Sequence, residues 1–162
     1  MGAQNLQNDK SSDRKDPMER IKKAQDENQK EKKFLLILVG IPACGKSAFA
    51  IHFKDFLLTS ENNEGSIVVV DTDRIRMEMF GTEFDPENED SVVQEKYARI
   101  KSLASRPNVR YIIVDDLNYL TSQRKILHDI AKVFDFIPFT IFFDCPLELA
   151  LSNNKIREHI CV

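Results

Sequence analysis

The chain has 162 residues, of which 42% are hydrophobic and 30% charged, the balance of one soluble globular domain rather than a disordered or membrane protein. No apolar run approaches the ~20 residues needed to cross a bilayer, and the amino terminus has no apolar signal-peptide region, so we expect neither membrane insertion nor secretion. The net charge of −3 excludes a strongly basic nucleic-acid surface. Three widely spaced cysteines, Cys44, Cys145 and Cys161, form no C-x-x-C pair, which favours a reduced, cytoplasmic compartment.

The first 33 residues differ in composition from the rest of the chain. They are polar, nearly free of large apolar side chains and carry a charge of +2, whereas residues 34–162 carry −5. Such a segment cannot bury enough surface to offset the entropy lost on ordering. We therefore predict a disordered or loosely helical tail over residues 1–33 and one domain over residues 34–162. The mixed charge of the tail is compatible with binding to a protein partner, but a solvated tail is the simpler interpretation.

Four apolar runs of strand length alternate with segments of helical period. The runs are residues 34–39, 66–70, 111–114 and 139–143. Continuous apolar runs of this length are typical of strands buried on both faces of a parallel sheet. The alternation predicts βαβ units and hence a three-layer α/β/α sandwich with a mainly parallel sheet, which binds ligands at the carboxyl ends of its strands.

Three of the intervening segments repeat apolar residues on one helical face. The predicted inward residues are Phe49, Ala50, Phe53, Phe56 and Leu57 in segment 46–58, Val92, Val93, Tyr97, Ile100, Leu103 and Ala104 in segment 91–105, and Ile126, Leu127, Ile130, Ala131 and Phe134 in segment 122–134. Each segment is long enough to cover one face of the predicted sheet.

A phosphate-binding motif follows the first predicted strand. The sequence GIPACGKS matches G-x-x-x-x-G-K-[ST] at every fixed position, and it lies between a buried strand and an amphipathic helix, which predicts a P-loop NTPase fold. We expect Lys46 to reach the β- and γ-phosphates of ATP and Ser47 to bind magnesium. The motif does not distinguish ATP from GTP. The predicted nucleotide-binding residues are Gly40, Ile41, Pro42, Ala43, Cys44, Gly45, Lys46, Ser47 and Ala48.

Two residues of opposite charge follow the second predicted strand. Phosphoryl transfer to a hydroxyl needs a carboxylate near the attacking oxygen and a cation near the transferred group. Asp73 and Arg76 supply both types three residues apart. In the structural alternative, Asp73 caps the next helix and Arg76 pairs with Asp73 or Glu78. Asp71 or Thr72 could cap that helix instead.

Two acids end the third predicted strand. The sequence YIIVDD is an apolar strand followed by Asp115 and Asp116, the Walker B arrangement that holds magnesium directly or through water. Together with Ser47, these two acids are the predicted metal ligands. The alternative is a pair of ordinary loop acids.

Four segments in order carry a resemblance to a known family: GIPACGKSAFA, DTDRIR, VDDLNYLTSQR and DCPLELAL. Together they resemble the O-phosphoseryl-tRNA(Sec) kinase family, especially its archaeal members, over about residues 34–157. The resemblance implies ATP-dependent phosphorylation of the serine on selenocysteine tRNA. It places Asp73 and Arg76 on the acceptor and phosphate side, and Lys46 and Ser47 on the nucleotide and magnesium. Polynucleotide 5′-hydroxyl kinases and the Elongator-associated regulatory ATPases share much of this pattern.

The resemblance weakens after residue 151. The family has an R-N-x-x-R lid whose arginines close over the triphosphate, whereas this chain reads NNKIR, so Asn153 replaces the first arginine and Arg157 matches the second. The chain ends at Val162, before the family's fifth strand and tRNA-binding domain, so we predict a kinase domain truncated in its lid. Arg157 is a candidate catalytic residue, since an arginine over the transition state is worth ~10³ or more in rate. The alternative functions are those of a polynucleotide 5′-hydroxyl kinase-like enzyme and of a nucleotide-dependent regulatory module of the Elongator-associated ATPase type with little transfer.

Overall fold

A parallel sheet forms the centre of the fold in the computed structural model, which describes residues 32–61, 66–81 and 84–158. Its strands are β1 (Lys33–Val39), β2 (Ile67–Asp71), β3 (Tyr111–Asp115) and β4 (Phe136–Phe142). All three pairings are parallel, and the spatial order of the strands is β2-β3-β1-β4. The parallel sheet predicted from the apolar runs is therefore confirmed.

Helices connect the strands, as parallel pairing requires. They are α1 (Lys46–Glu61), α2 (Thr72–Phe80), α3 (Glu89–Ala104), α4 (Thr121–Val133) and α5 (Leu147–Glu158), with a short 3₁₀ turn at Pro86–Asn88 before α3. In the part of the chain that the structure describes, no helix is long and apolar enough to span a membrane.

The side chains of β1 divide the core into two layers. Leu35 and Ile37 belong to one buried cluster, together with apolar residues of α2, α3 and α4. Leu36 and Leu38 belong to a second cluster, which includes apolar residues of α1. Because successive strand residues point to opposite faces of a sheet, helices pack on both sides. The predicted three-layer α/β/α sandwich is confirmed.

Two of the predicted inward residues are wrong. Phe56 of α1 and Ile126 of α4 are 62% and 42% exposed. Because an α-helix turns 100° per residue, each of these side chains points about 90° away from the centre of the buried face of its helix. This position is at the edge of the buried face, and whether it is covered depends on the element that packs there. Strand β4 also begins earlier than predicted, at Phe136, because Pro138 interrupts the strand pattern in sequence but is tolerated in an edge strand.

Residues 1–31 of the predicted tail lie outside the described residues. Lys33, the last residue of the predicted tail, is the first residue of β1.

The carboxyl ends of β1, β2 and β3 lie at one edge of the sheet, since these strands are parallel. Residues that follow these three strands are therefore brought together.

Candidate active site

The loop between β1 and α1 wraps around its own lysine. The buried Lys46 ammonium donates hydrogen bonds to the carbonyl oxygens of Gly40 at 2.9 Å and Ile41 at 2.8 Å. Ala43 and Gly45 have φ values of 60° and 97°, and left-handed residues of this kind turn successive backbone N–H groups into a concave nest. The nest, the lysine and the amino terminus of α1 make a site suited to an anion.

Gly40 is packed too closely for a side chain. A Cβ atom at this position would lie 2.7 Å from Cys44 Sγ and 3.0 Å from Phe143 Cβ. The Gly40 N–H donates to the carbonyl oxygen of Leu117 at 3.3 Å. The first glycine of the motif thus joins the phosphate loop to the segment after β4 and to the turn after β3.

Ser47 and Asp115 meet at the start of α1. The Ser47 hydroxyl lies beside the buried Asp115 carboxylate, which ends β3, and both residues line the same cleft. Burial raises the pKa of Asp115, and the negative charges of Asp71 and Asp73 raise it further. The hydrogen bond from Ser47 and the charge of Lys46 oppose this rise. A hydroxyl beside a buried carboxylate with surplus negative charge suits a hard divalent cation.

Asp116 is held from the interior by Lys96. The Lys96 Nζ atom donates to Asp116 Oδ2 at 2.6 Å. The other carboxylate oxygen accepts a hydrogen bond from the N–H of Leu117 at 2.7 Å. Of the two acids among the three predicted metal ligands, Asp115 therefore lies beside Ser47, whereas Asp116 is paired with Lys96.

Asp71 caps the amino terminus of α2. Its carboxylate accepts hydrogen bonds from the N–H groups of Asp73 at 2.9 Å and Arg74 at 3.3 Å. Because Asp71 is also the last residue of β2, strand and helix join without an intervening loop. The cap is thus Asp71, and the carboxylate of Asp73 is left for another role.

Arg76 bridges two carboxylates. Its Nη1 atom donates to Asp73 at 2.6 Å, and its Nε and Nη2 atoms donate to Glu89 at 2.6 Å and 3.0 Å. The hydrogen bond with Glu89, together with that with Asp73, raises the pKa of Arg76 above its usual range, although burial acts in the opposite direction. Glu78, the other partner that the sequence allowed, pairs with Arg74 at 2.9 Å.

These groups surround one cleft of ≈ 640 Å³, a size that suits a small-molecule ligand. It is lined by Pro42, Ala43, Gly45, Lys46, Ser47, Ala48, Asp71, Thr72, Asp73, Arg76, Phe84, Glu89, Asp90, Val93, Asp115, Asp116, Leu117, Tyr119 and Gln123. Three residues of the predicted loop, Gly40, Ile41 and Cys44, are not among the lining residues. The structure thus gathers the phosphate loop, the acids after β3 and the Asp73–Arg76 pair around one space.

Helix α5 contacts the phosphate loop through Asn153. Its Nδ2 atom donates a hydrogen bond to the carbonyl oxygen of Ala43 at 3.1 Å. The position where the resembling family has its first lid arginine is therefore beside the loop. The side chain of Arg157 lies outside the described residues.

Sequence reasoning missed Lys96 and Glu89. Lys96 stands four residues after Val92 and four before Ile100, so its helical spacing was a signal that it lies on the buried face. A buried lysine in turn requires an acid partner. Glu89 had no such signal, because its contact with Arg76 depends on how α2 and α3 pack together.

Sequence comparisons relate the chain to two named groups of proteins. The family model for the chromatin associated protein KTI12 matches residues 34–160. The L-seryl-tRNA(Sec) kinase of Methanococcus maripaludis is 36% identical over 123 residues, which cover 76% of this chain and 46% of that protein. The chain thus spans about half the length of the curated relative that it matches.

Solved structures share the fold. A chain of the Pnkp1/Rnl/Hen1 complex superposes with a TM-score of 0.61 at 26% identity, covering 77% of this chain and 40% of that one. The Mycobacterium tuberculosis APS kinase in complex with AMPPNP and APS gives 0.60 at 16% identity, covering 81% and 73%. Chaetomium thermophilum Kti12 in complex with ADP-AlF3 gives 0.61 at 18% identity, covering 77% and 68%. With the P-loop kinase fold in place and a family match over residues 34–160, the chain belongs to the KTI12 family.

Proposed function

We propose that this domain binds ATP with magnesium and transfers the γ-phosphoryl group to a hydroxyl group of an acceptor. The observation that carries the proposal is the composition of one cleft. Lys46, Ser47 and Asp115 line it, and so do Asp73 and Arg76. The first three have the chemistry needed for a triphosphate and its cation, and the last two have the chemistry needed for an attacking hydroxyl.

On the nucleotide side, residues 40–48 form the proposed binding loop, with Lys46 contacting the β- and γ-phosphates. Ser47 and Asp115 would hold magnesium directly or through water, with Asp116 behind them. Magnesium binds through one or two carboxylates together with substrate phosphates and waters, so Ser47, Asp115 and a bound triphosphate would be sufficient to hold it. The chemistry that this ion supplies is neutralisation of charge on the transferred group.

On the acceptor side, Asp73 is the proposed general base. Its side chain is 78% exposed, and the Arg76 guanidinium orients it at 2.6 Å. The acceptor's O–H proton passes to Asp73, the acceptor oxygen bonds to the γ-phosphorus, and the bond from that phosphorus to the oxygen of the leaving ADP breaks. Arg76 and Lys46 offset the negative charge on the transferred group, and Arg157 is a further proposed cation.

The proposed acceptor is the serine of seryl-tRNA(Sec), which would give O-phosphoseryl-tRNA(Sec). The 36% identity to an L-seryl-tRNA(Sec) kinase supports this choice. The charges of the cleft support it too, because Asp90 lines it in addition to Asp73 and Glu89, the two carboxylates that Arg76 pairs with. A carboxylate here suits the ammonium group that a seryl ester carries beside its hydroxyl.

The test is transfer of radioactive phosphate from γ-labelled ATP to seryl-tRNA(Sec), free serine and 5′-hydroxyl RNA. We expect label on seryl-tRNA(Sec), and we expect Lys46→Ala to abolish it by weakening ATP binding. Lys125→Ala, which changes an exposed lysine of α4, is the matched control and should behave as the wild type. ATP binding without transfer to any of the three acceptors would refute the kinase proposal.

A second function, nucleotide-dependent regulation with little transfer, is favoured by Asn153. At this position beside Ala43 the chain has a neutral amide where the resembling kinases have an arginine. The match to the KTI12 family, which is described as chromatin associated rather than as a kinase family, fits this second function. It predicts ATP binding with slow hydrolysis and a protein partner, for which residues 1–33 are the proposed docking segment. Equal recovery of the same partners with and without ATP in pull-downs would exclude it.

The proposed location is the cytoplasm. Among the described cysteines, Cys44 and Cys145 are free thiols, which fits a reducing compartment. Fractionation of cells should recover the chain with cytoplasmic markers, and recovery from the medium would contradict this location.

A further inference from the structure

Lys96 is a charged side chain with no exposed surface. It lies in α3 between Val92 and Ile100, one helical turn from each, and both are also fully buried. Burying an ammonium group is costly unless its charge is paired and hydrogen-bonded. The position of Lys96 in the core therefore has to be explained by what it contacts.

The contact of Lys96 reaches the cleft. Its Nζ atom donates to Asp116 Oδ2 at 2.6 Å, and the Asp116 side chain is 17% exposed and lines the cleft. The second oxygen of Asp116 accepts from the N–H of Leu117 at 2.7 Å. Both oxygens of this carboxylate are thus fixed, one from the core and one from the chain that follows.

The turn after Asp116 supports the phosphate loop. The carbonyl oxygen of Leu117 accepts the N–H of Gly40 at 3.3 Å. The Asn118 amide donates to the carbonyl oxygen of Leu38 at 2.9 Å, one residue before the end of β1. The orientation of Asp116 therefore affects the turn that hydrogen-bonds to Gly40, the first glycine of the loop.

Charge gives Lys96 a second effect on the same site. Asp115 and Asp116 are adjacent in the cleft that also contains the anion-binding loop. A second unbalanced carboxylate there would repel a triphosphate, and such repulsion is strong where water is partly excluded. Lys96 balances the charge of Asp116 and leaves the charge of Asp115 beside Ser47.

We propose that Lys96 is a positioning residue of the nucleotide site, which orients and neutralises Asp116 so that a triphosphate meets the negative charge of Asp115 rather than of both acids. The inference rests on ATP being the ligand under the proposed function, but not on the identity of the acceptor. Lys96 itself touches no substrate in this scheme and acts through Asp116.

The test compares three variants by titration with a fluorescent ATP analogue and magnesium. Lys96→Met keeps a similar side-chain length without charge, and it should raise the Kd at least ~10-fold because one partner of a buried pair is lost. Asp116→Asn keeps an oxygen for the Leu117 N–H but leaves the Lys96 ammonium unpaired in the core, so it too should raise the Kd. The double variant should return the Kd to within about 3-fold of the wild type. Lys101→Met, at an exposed lysine of the same helix, is the control.

The outcomes separate this role from mere packing. A wild-type Kd in Lys96→Met would refute the inference, and so would a weakening that Asp116→Asn does not reverse, because that would be a packing effect. If circular dichroism shows that Lys96→Met is unfolded, the double variant decides: a Kd within about 3-fold of the wild type supports the inference, and a larger increase contradicts it. A wild-type protein that binds no ATP would refute the proposed function itself and this inference with it.

Discussion

Replacing Asp73 with asparagine should separate chemistry from folding, because a neighbouring residue caps the helix. Asp71 accepts both cap hydrogen bonds, so Asp73→Asn should cost only the value of an exposed ion pair with Arg76, about 0.2–1 kcal/mol. Asp71→Ala removes the cap itself and should cost about 0.5–2 kcal/mol. Asp71→Ala should cost more than Asp73→Asn because it is the Asp71 carboxylate that accepts hydrogen bonds from the free N–H groups at the start of α2.

Phosphoryl transfer should depend on Asp73 far more strongly than stability does. A general base contributes ~10² to 10⁴ in rate, so Asp73→Asn should slow single-turnover transfer to seryl-tRNA(Sec) by that factor with nearly unchanged ATP affinity. Asp129→Asn, at an exposed aspartate of α4, is the matched control and should transfer at the wild-type rate.

Three measurements on the same preparations test the reasoning: rapid-quench single turnovers, titration with a fluorescent ATP analogue, and urea unfolding. Wild-type transfer by Asp73→Asn would refute its assignment as the base, and the nucleotide site would stand. A loss of more than about 2 kcal/mol in unfolding free energy for Asp73→Asn would instead contradict Asp71 as the cap.

Three further changes test the loop, the buried acid and the contact from α5. Gly40→Ala should cost about 1–3 kcal/mol in urea unfolding, because its Cβ would lie 2.7 Å from Cys44 Sγ and 3.0 Å from Phe143 Cβ; unchanged stability would contradict this packing. Burial raises the pKa of Asp115, so the folded state favours the protonated carboxyl group. The resulting contribution to the free energy of unfolding is fully present below the ordinary carboxyl pKa, and it is lost as pH rises through the raised pKa. Ligand-free Asp115→Asn should therefore gain on the wild type as pH rises from about 4 to 8, and a stability difference that does not change with pH would count against it. Asn153→Arg places a guanidinium beside the loop and should speed transfer ~10-fold or more, whereas an unchanged single-turnover rate would show that this position is not limiting.

The strands and the phosphate loop could be predicted because their signals are local. The run from Phe34 to Val39 is entirely apolar, which by itself indicates burial on both faces. The loop motif fixes the positions of Gly40, Lys46 and Ser47 without knowledge of the rest of the fold. Parallel strands then place the acids after β2 and β3 at the same edge as the loop.

The contacts that hold the site could not be predicted, because they join residues from different elements. Local spacing allowed Arg76 to pair with Asp73, and it does. The bidentate partner of Arg76, Glu89, comes from α3, and the partner of Lys96, Asp116, lies beyond the next strand. Such pairs are fixed only when the helices pack on the sheet, so the sequence contained the residue types but not their pairing.

Strand β4 lies at an edge of the described sheet, and its outward side is poorly suited to pairing with another chain. The N–H of Phe143 donates to the carbonyl oxygen of Val39 at 2.8 Å, so the N–H groups of residues 137, 139 and 141 face β1 and those of alternate residues face outward. One of the outward positions is Pro138, which has no N–H to donate. A strand from a second molecule would find its ladder interrupted there, so the exposed Phe139 and Phe142 lie on an edge that resists the growth of intermolecular sheets.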